Sequence, residues 1–231
     1  MDAVKALAKV AARYPQSAYH GLTTSLQGEW QYLSRVVPGV EDFLGPVEDA
    51  IRDFFVPAML QLDARSVSDQ FRQMLAHGVK QGGLNLRNPA QSAARLHQSS
   101  VEACATLVAS LTGDVQLDSM AHAQSVRQAS TSARKERLEE EQGFVETMAS
   151  SASRPVKKRL GRIGLTGAWL TQMPSKLNGT ILSKDEFCDN VRLRYGMRPI
   201  NLCERCDGCG AGFSVDHALS CGKGGSCVST S

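Results

Sequence analysis

The stretch CERCDGCGAGFSVDHALSC, residues 203–221, places four of the chain's seven cysteines and one of its five histidines within nineteen residues. Its only sizeable apolar side chains are Phe213, Val215 and Leu219, too few to order a backbone by burial alone. A segment of this kind folds around a cross-link or a metal, and a structural zinc site supplies about 10–16 kcal/mol of apparent free energy at neutral pH. Zinc takes four tetrahedral ligands from thiolate and imidazole, and small modules offer two from a tight turn and two from a helix. Cys206 and Cys209 form the turn pair, with Gly208 and Gly210 relieving its crowding. Ser214 is placed to cap a short helix on which His217 and Cys221, four residues apart, share a face.

The expected ligands are therefore Cys206, Cys209, His217 and Cys221, the one set that uses the helix geometry. Two alternatives stay open: Cys203 and Cys206 make a second C-x2-C pair, and Cys227 could take the place of Cys221. With four protein ligands no coordination position is left for water, so the expected cofactor, zinc, is structural.

Disulfides are the competing use of cysteine, and the compartment decides between them. The N-terminus lacks an apolar stretch of signal-peptide length, and no window approaches the roughly 18 apolar residues of a membrane span. An intracellular location, nuclear or cytoplasmic, is expected, without membrane association. The 231 residues are 42% hydrophobic and carry a formal charge of +3, enough apolar content for a core and too little net charge to mark a nucleic-acid binder.

Along the chain, DAVKALAKVAARY stops before Pro15, and PVEDAIRDFFVPAML starts with Pro46 and sets Val47, Ile51, Phe54 and Phe55 on one stripe. SVSDQFRQMLAHG offers Ser66 or Ser68 as cap and Gly78 as terminator. GGLNL reads as a tight turn and a short extended piece, followed by a helix with Asn88 as cap and Pro89 as its first residue. Val101, Cys104, Val108 and Leu111 are expected on that helix's core face, making Cys104 a packed thiol. Residues 116–148 are polar on nearly all sides, an exposed helix or linker. SSASRPVKKRLGR brings Arg154, Lys157, Lys158, Arg159 and Arg162 together without an acidic residue, a run able to follow a phosphate backbone. Ser183 and Glu186 have capping-box spacing, Gly196 ends that helix, and Phe187, Cys188, Val191 and Tyr195 share its buried face.

Other chemistry finds little support. His20, His77, His97 and His122 have no local nucleophile or carboxylate partner, GCGAGF lacks the preceding strand of a phosphate-binding loop, and no two aspartates are adjacent.

Several stretches, in order, resemble the C-terminal portion of reverse-transcriptase polyproteins from non-LTR-type mobile elements. PQSAYHGLTTSLQGEWQYLSRVVPGVEDFLGPVEDAIRDFFVPAML resembles the segment that follows the polymerase palm. GGLNLRNPAQSAARLHQSS is similar to a Gly-Gly-Leu-Gly-Ile turn with its Asn-Pro helix, with Asn85 in place of the third glycine. AWLTQMPSKLNGTILSKDEFCDNVRLRYGMRP resembles the block before the zinc cluster, and CDGCGAGFSVDHALSCGKGG the cluster itself. The resemblance implies the same four ligands. It also implies that the catalytic carboxylates, including an adjacent aspartate pair, belong upstream of the matching region, so the chain is expected to be a fragment that does not polymerise DNA alone.

The expected architecture is mainly α: a helical thumb- and connection-like block over 1–114, a charged helix or linker with the basic run over 115–162, a small helical segment over 163–200, and a zinc-stabilised module and tail over 201–231. The expected function is zinc-dependent nucleic-acid binding, to RNA or DNA, by a non-catalytic fragment. The alternatives are a zinc-scaffolded module that binds a protein partner, or a decayed element remnant without function.

Overall fold

The computed structural model describes residues 1–63, 66–113 and 116–223; the expected boundary at 114/115, the Gly224–Gly225 pair and Cys227 lie outside them. Every regular element among the described residues is helical, apart from one isolated antiparallel bridge between Arg205 and Gly212. Among the described residues no helix is long and apolar enough to cross a membrane.

Eleven α-helices are described: α1 (Asp2–Ala11), α2 (Pro15–Gly21), α3 (Gln27–Val36), α4 (Gly45–Ala50), α5 (Val56–Leu60), α6 (Asp69–Ala76), α7 (Pro89–Thr112), α8 (Ser119–Ser151), α9 (Arg154–Ile163), α10 (Lys184–Arg194) and α11 (Val215–Ser220). A wider π-type turn carries α2 into α3 over Leu22–Leu26, and another carries α4 into α5 over Ile51–Phe55.

Local chemistry sets the helix starts. Asn88 Oδ1 accepts the Gln91 amide at the head of α7, with Pro89 in the first turn. Ser68, not Ser66, caps α6 by accepting the Phe71 amide. Ser183 and Glu186 complete a reciprocal capping box on α10.

One core joins elements remote in sequence. Val4 and Ala8 of α1, Tyr19 of α2, Ile51, Phe55, Met59, Leu75, Leu84 and Leu86 pack together, and Leu170, Phe187 and Val191 enter the same cluster from the 163–200 segment. Buried polar groups tie the seams. Tyr19 Oη donates to the Leu84 carbonyl at 2.9 Å, and Gln16 holds the Thr180 carbonyl and the Leu182 amide at 2.9 and 2.8 Å. Buried Arg194 donates to the carbonyls of Ile163 and Val79. Cys188 is fully buried, as its place on α10 predicts.

The GGLNL turn shows why its residues are small. A Cβ on Gly83 would sit 2.1 Å from the His77 carbonyl oxygen and 2.6 Å from that of Met74. Asn85, where the resembling turn has glycine, takes φ +55°, a left-handed conformation that asparagine adopts more readily than most residues.

Two expectations fail. On α7, Val101, Val108 and Leu111 are 50, 52 and 77% exposed, and Cys104 is exposed too. α7 instead turns a small and polar stripe toward its antiparallel neighbour α8: Thr106 Oγ1 and Ser125 Oγ lie 3.1 Å apart, and Ser99 Oγ donates to the Ala129 carbonyl. From Val101 to Thr112 no residue of α7 is buried. Phe54 is also out of the core, lying under the Lys5 ammonium at 4.9 Å. The π-type turn through Ile51–Phe55 advances less per residue than an α-helix and carries Phe54 off the stripe that Ile51 and Phe55 keep.

Candidate metal centre

A tight hairpin and one short helix build the centre. The Cys206 amide donates to the Ala211 carbonyl, the Gly210 amide to the Cys206 carbonyl, and the Phe213 amide to the Glu204 carbonyl, all at 2.8–2.9 Å. These bonds fold the chain back on itself across the Arg205–Gly212 bridge. Gly210 makes the return at φ +74°, a conformation costly for a residue with a side chain. Ser214 Oγ then accepts the His217 amide and starts α11, and Cys221 closes that helix with its amide on the His217 carbonyl.

The ligand atoms of Cys206, Cys209, His217 and Cys221 all lie within 4.8 Å of one another. Cys206 Sγ is 3.7 Å from Cys221 Sγ, and Cys209 Sγ is 3.2 Å from His217 Nε2. Cys206 is buried, Cys209 exposed, and the other two lie between. The Phe213 ring, itself buried, packs edge-on to the His217 imidazole at 5.9 Å and orients it. At Cys209 the Ala211 amide favours the thiolate, while partial desolvation and the neighbouring Cys206 and Cys221 thiols oppose it, for a net upward shift. Three sulfurs and an imidazole crowded in this way could hold a metal ion. Cys203 stands outside the group.

Two of the histidines without an expected role, His20 and His77, are buried side chains. Burial lowers His20 and brings His77 down to about 4; the His77 ring stands edge-on to Phe144 at 4.8 Å.

The basic run forms α9. Pro155 lies in its first turn, where a missing N–H costs nothing. Val156, Leu160 and Ile163 face α6 and α10 alongside Met74 and Tyr195. Arg154, Lys157, Lys158 and Arg162 are exposed. Arg159 is half-buried, donating to the Tyr195 carbonyl at 3.4 Å with its guanidinium over Gly196.

The sequence gives no hint of what this helix stands beside. Lys158, Arg159 and Arg162 line a groove with Arg194 of α10, and its far wall is Asp216 on α11 of the metal-ligand hairpin. The 154–158–162 spacing alone could have signalled a basic stripe; Arg194 and Asp216 arrive only through tertiary packing.

No family model, curated protein or solved structure matches the chain.

Proposed function

We propose that the chain is a non-catalytic, nucleic-acid-engaging portion of a reverse-transcriptase-like mobile-element protein, with zinc as the ion of its metal centre. The groove between α9 and α11 carries this reading: four cationic side chains line it, and one of its walls belongs to the metal centre's own helix. The donor set and its spacing support zinc. A tetrahedral ion with Zn–S bonds of about 2.3 Å sets its thiolates about 3.8 Å apart, against 3.7 Å between Cys206 and Cys221.

The protein groups divide the work. Cys206, Cys209, His217 and Cys221 would hold the ion, which supplies a rigid link between hairpin and helix and, with all four positions taken by side chains, no bound water for chemistry. Lys158 and Arg162 would contact phosphates as exposed charges. Arg159, already committed to the Tyr195 carbonyl, supports the groove wall more than it reaches outward. Asp216 opposes a polyanion and limits its approach at one end. Contacts of this kind position a strand without reading its bases.

The test is fluorescence anisotropy with single-stranded RNA and DNA oligonucleotides over a range of salt. The logarithm of affinity is expected to fall linearly with the logarithm of salt concentration. Lys158→Ala with Arg162→Ala is expected to reduce the slope by about 1.4, from about 0.7 per lost contact on a single strand. Asp216→Asn tightens binding. Salt-insensitive or absent binding contradicts the reading.

A second reading, a zinc-scaffolded surface for a protein partner, draws on Leu219 of α11 and Leu165 after α9, 84 and 85% exposed. Salt-insensitive capture of a protein, lost in Leu219→Ser, would favour it.

A further inference from the structure

Away from the metal centre and α9, a cleft of about 470 Å³ opens between α3, α7 and α8. Five arginines line it: Arg35 from the last turn of α3, Arg87 from the segment before α7, Arg95 from α7, and Arg134 and Arg137 from one face of α8. No carboxylate and no aromatic residue is among its lining groups; Gln31, Ser100 and Ser130 add polar atoms. Two of the arginines have an ion-pair partner, Arg95 in Glu140 and Arg137 in Glu141 at 3.5 Å. Arg35, Arg87 and Arg134 make no ion pair with another described residue.

Bringing five like charges into one concavity is unfavourable unless something anionic answers them. Burial first, and then the Arg137 and Arg95 charges, lower the Arg87 guanidinium to about 10, against the pull of Glu141. It stays charged at neutral pH and is held at a cost that an anion would relieve. Planar guanidinium forks bind phosphate oxygens two at a time, and several around one cleft suit a chain of phosphates better than a single carboxylate. The volume falls in the range of small-molecule sites. With no ring on which a base could stack, recognition falls on the phosphates.

We propose that this cleft binds a free oligophosphate chain, such as a triphosphate, through Arg35, Arg87 and Arg134, with indifference to any attached base. The inference does not depend on the zinc or nucleic-acid reading, since none of its residues belongs to the metal centre or α9.

Isothermal titration calorimetry of the full chain at constant ionic strength tests it, with sodium tripolyphosphate, ATP and UTP as probes. The expected result is saturable one-to-one binding of all three with affinities within about threefold of each other. Arg35→Glu with Arg134→Glu, both exposed positions, is expected to weaken binding at least tenfold, while Lys9→Glu with Lys176→Glu, exposed cations outside this cleft and outside the α9 groove, leaves it unchanged. Circular dichroism of each variant verifies the fold, and Arg35→Lys with Arg134→Lys, which keeps the charge and removes the fork, is expected to show an intermediate loss. No saturable tripolyphosphate heat overturns the proposal. So does binding that survives the Arg35/Arg134 reversal, or a tenfold preference for one nucleotide over tripolyphosphate. If an oligonucleotide needs Arg35 and Arg134 and tripolyphosphate does not compete with it, the cleft is a backbone track and the proposal also fails.

Discussion

Arg72 Nη2 lies 2.7 Å from Glu48 Oε2, with the two side chains only 5 and 14% exposed. The same arginine donates through Nη1 to the Leu86 carbonyl at 2.7 Å, so one guanidinium fixes α6 to α4 and to the extended piece after the glycine turn. Desolvation raises the Glu48 carboxyl, opposed by Arg72, and lowers the Arg72 guanidinium, opposed by Glu48. Each charge is tolerated because of the other.

Removing one partner strands the other. Arg72→Ala is expected to destabilise the fold by about 3–5 kcal/mol, as other broken buried pairs do. Arg72→Met with Glu48→Leu should recover most of that loss. Urea denaturation of the three proteins is the check, and equal losses in single and double variants would contradict the pairing argument.

The glycine turn makes a second prediction. Gly83→Ala drives a methyl into the His77 and Met74 carbonyls and should cost about 3 kcal/mol, as overpacking against backbone does at its upper end. Gly143→Ala, within α8 and with nothing inside 4 Å of the added carbon, should instead stabilise by about 1 kcal/mol. Thermal melts of the two variants should move in opposite directions.

Those contrasts indicate what sequence alone could supply. Caps were legible because their partners lie within three residues: Asn88 with Gln91, Ser183 with Glu186, Ser214 with His217. The gathering of Cys206, Cys209, His217 and Cys221 was legible for a related reason, since turn spacing and a four-residue helical repeat bring all four together. Which face of α7 is covered was not legible. Periodicity identifies an apolar stripe at Val101, Val108 and Leu111, but the neighbour decides what is buried, and α8 packs on the serine and threonine side. The gathering of Arg35, Arg87 and Arg134 was equally hidden, because it depends on three helices meeting across a hundred residues of chain.

Acid should weaken the helical block through His77. Burial holds it at about 4 in the folded state against 6.5 when exposed, so the folded chain binds fewer protons between these values. The contribution is therefore complete above pH 6.5 and is lost as pH falls toward 4, by up to about 3 kcal/mol at about 1.4 kcal/mol per pH unit. His20, lowered by burial as well, adds in the same direction. Stability measured by urea between pH 7 and 4 should fall more steeply for the parent chain than for His77→Phe, whose ring can keep the edge-on contact with Phe144. Parallel profiles would contradict the assignment.

Chelation should act locally. Cys206 and Phe213 are buried but stand outside the cluster that unites the N-terminal block with α10. Removing the ion should leave the helical circular dichroism largely intact while amide protection is lost across 204–221. Global unfolding on chelation would show that the hairpin and the main core are one cooperative unit.

Cys206, Cys209, His217 and Cys221 are proposed to hold one ion together. The most direct test is zinc content per chain on purified protein, with Cys209→Ser and His217→Ala measured alongside. One zinc per parent chain, weakened or lost in both variants, is the predicted result. No zinc in the parent, or one zinc retained equally in both variants, would contradict the account.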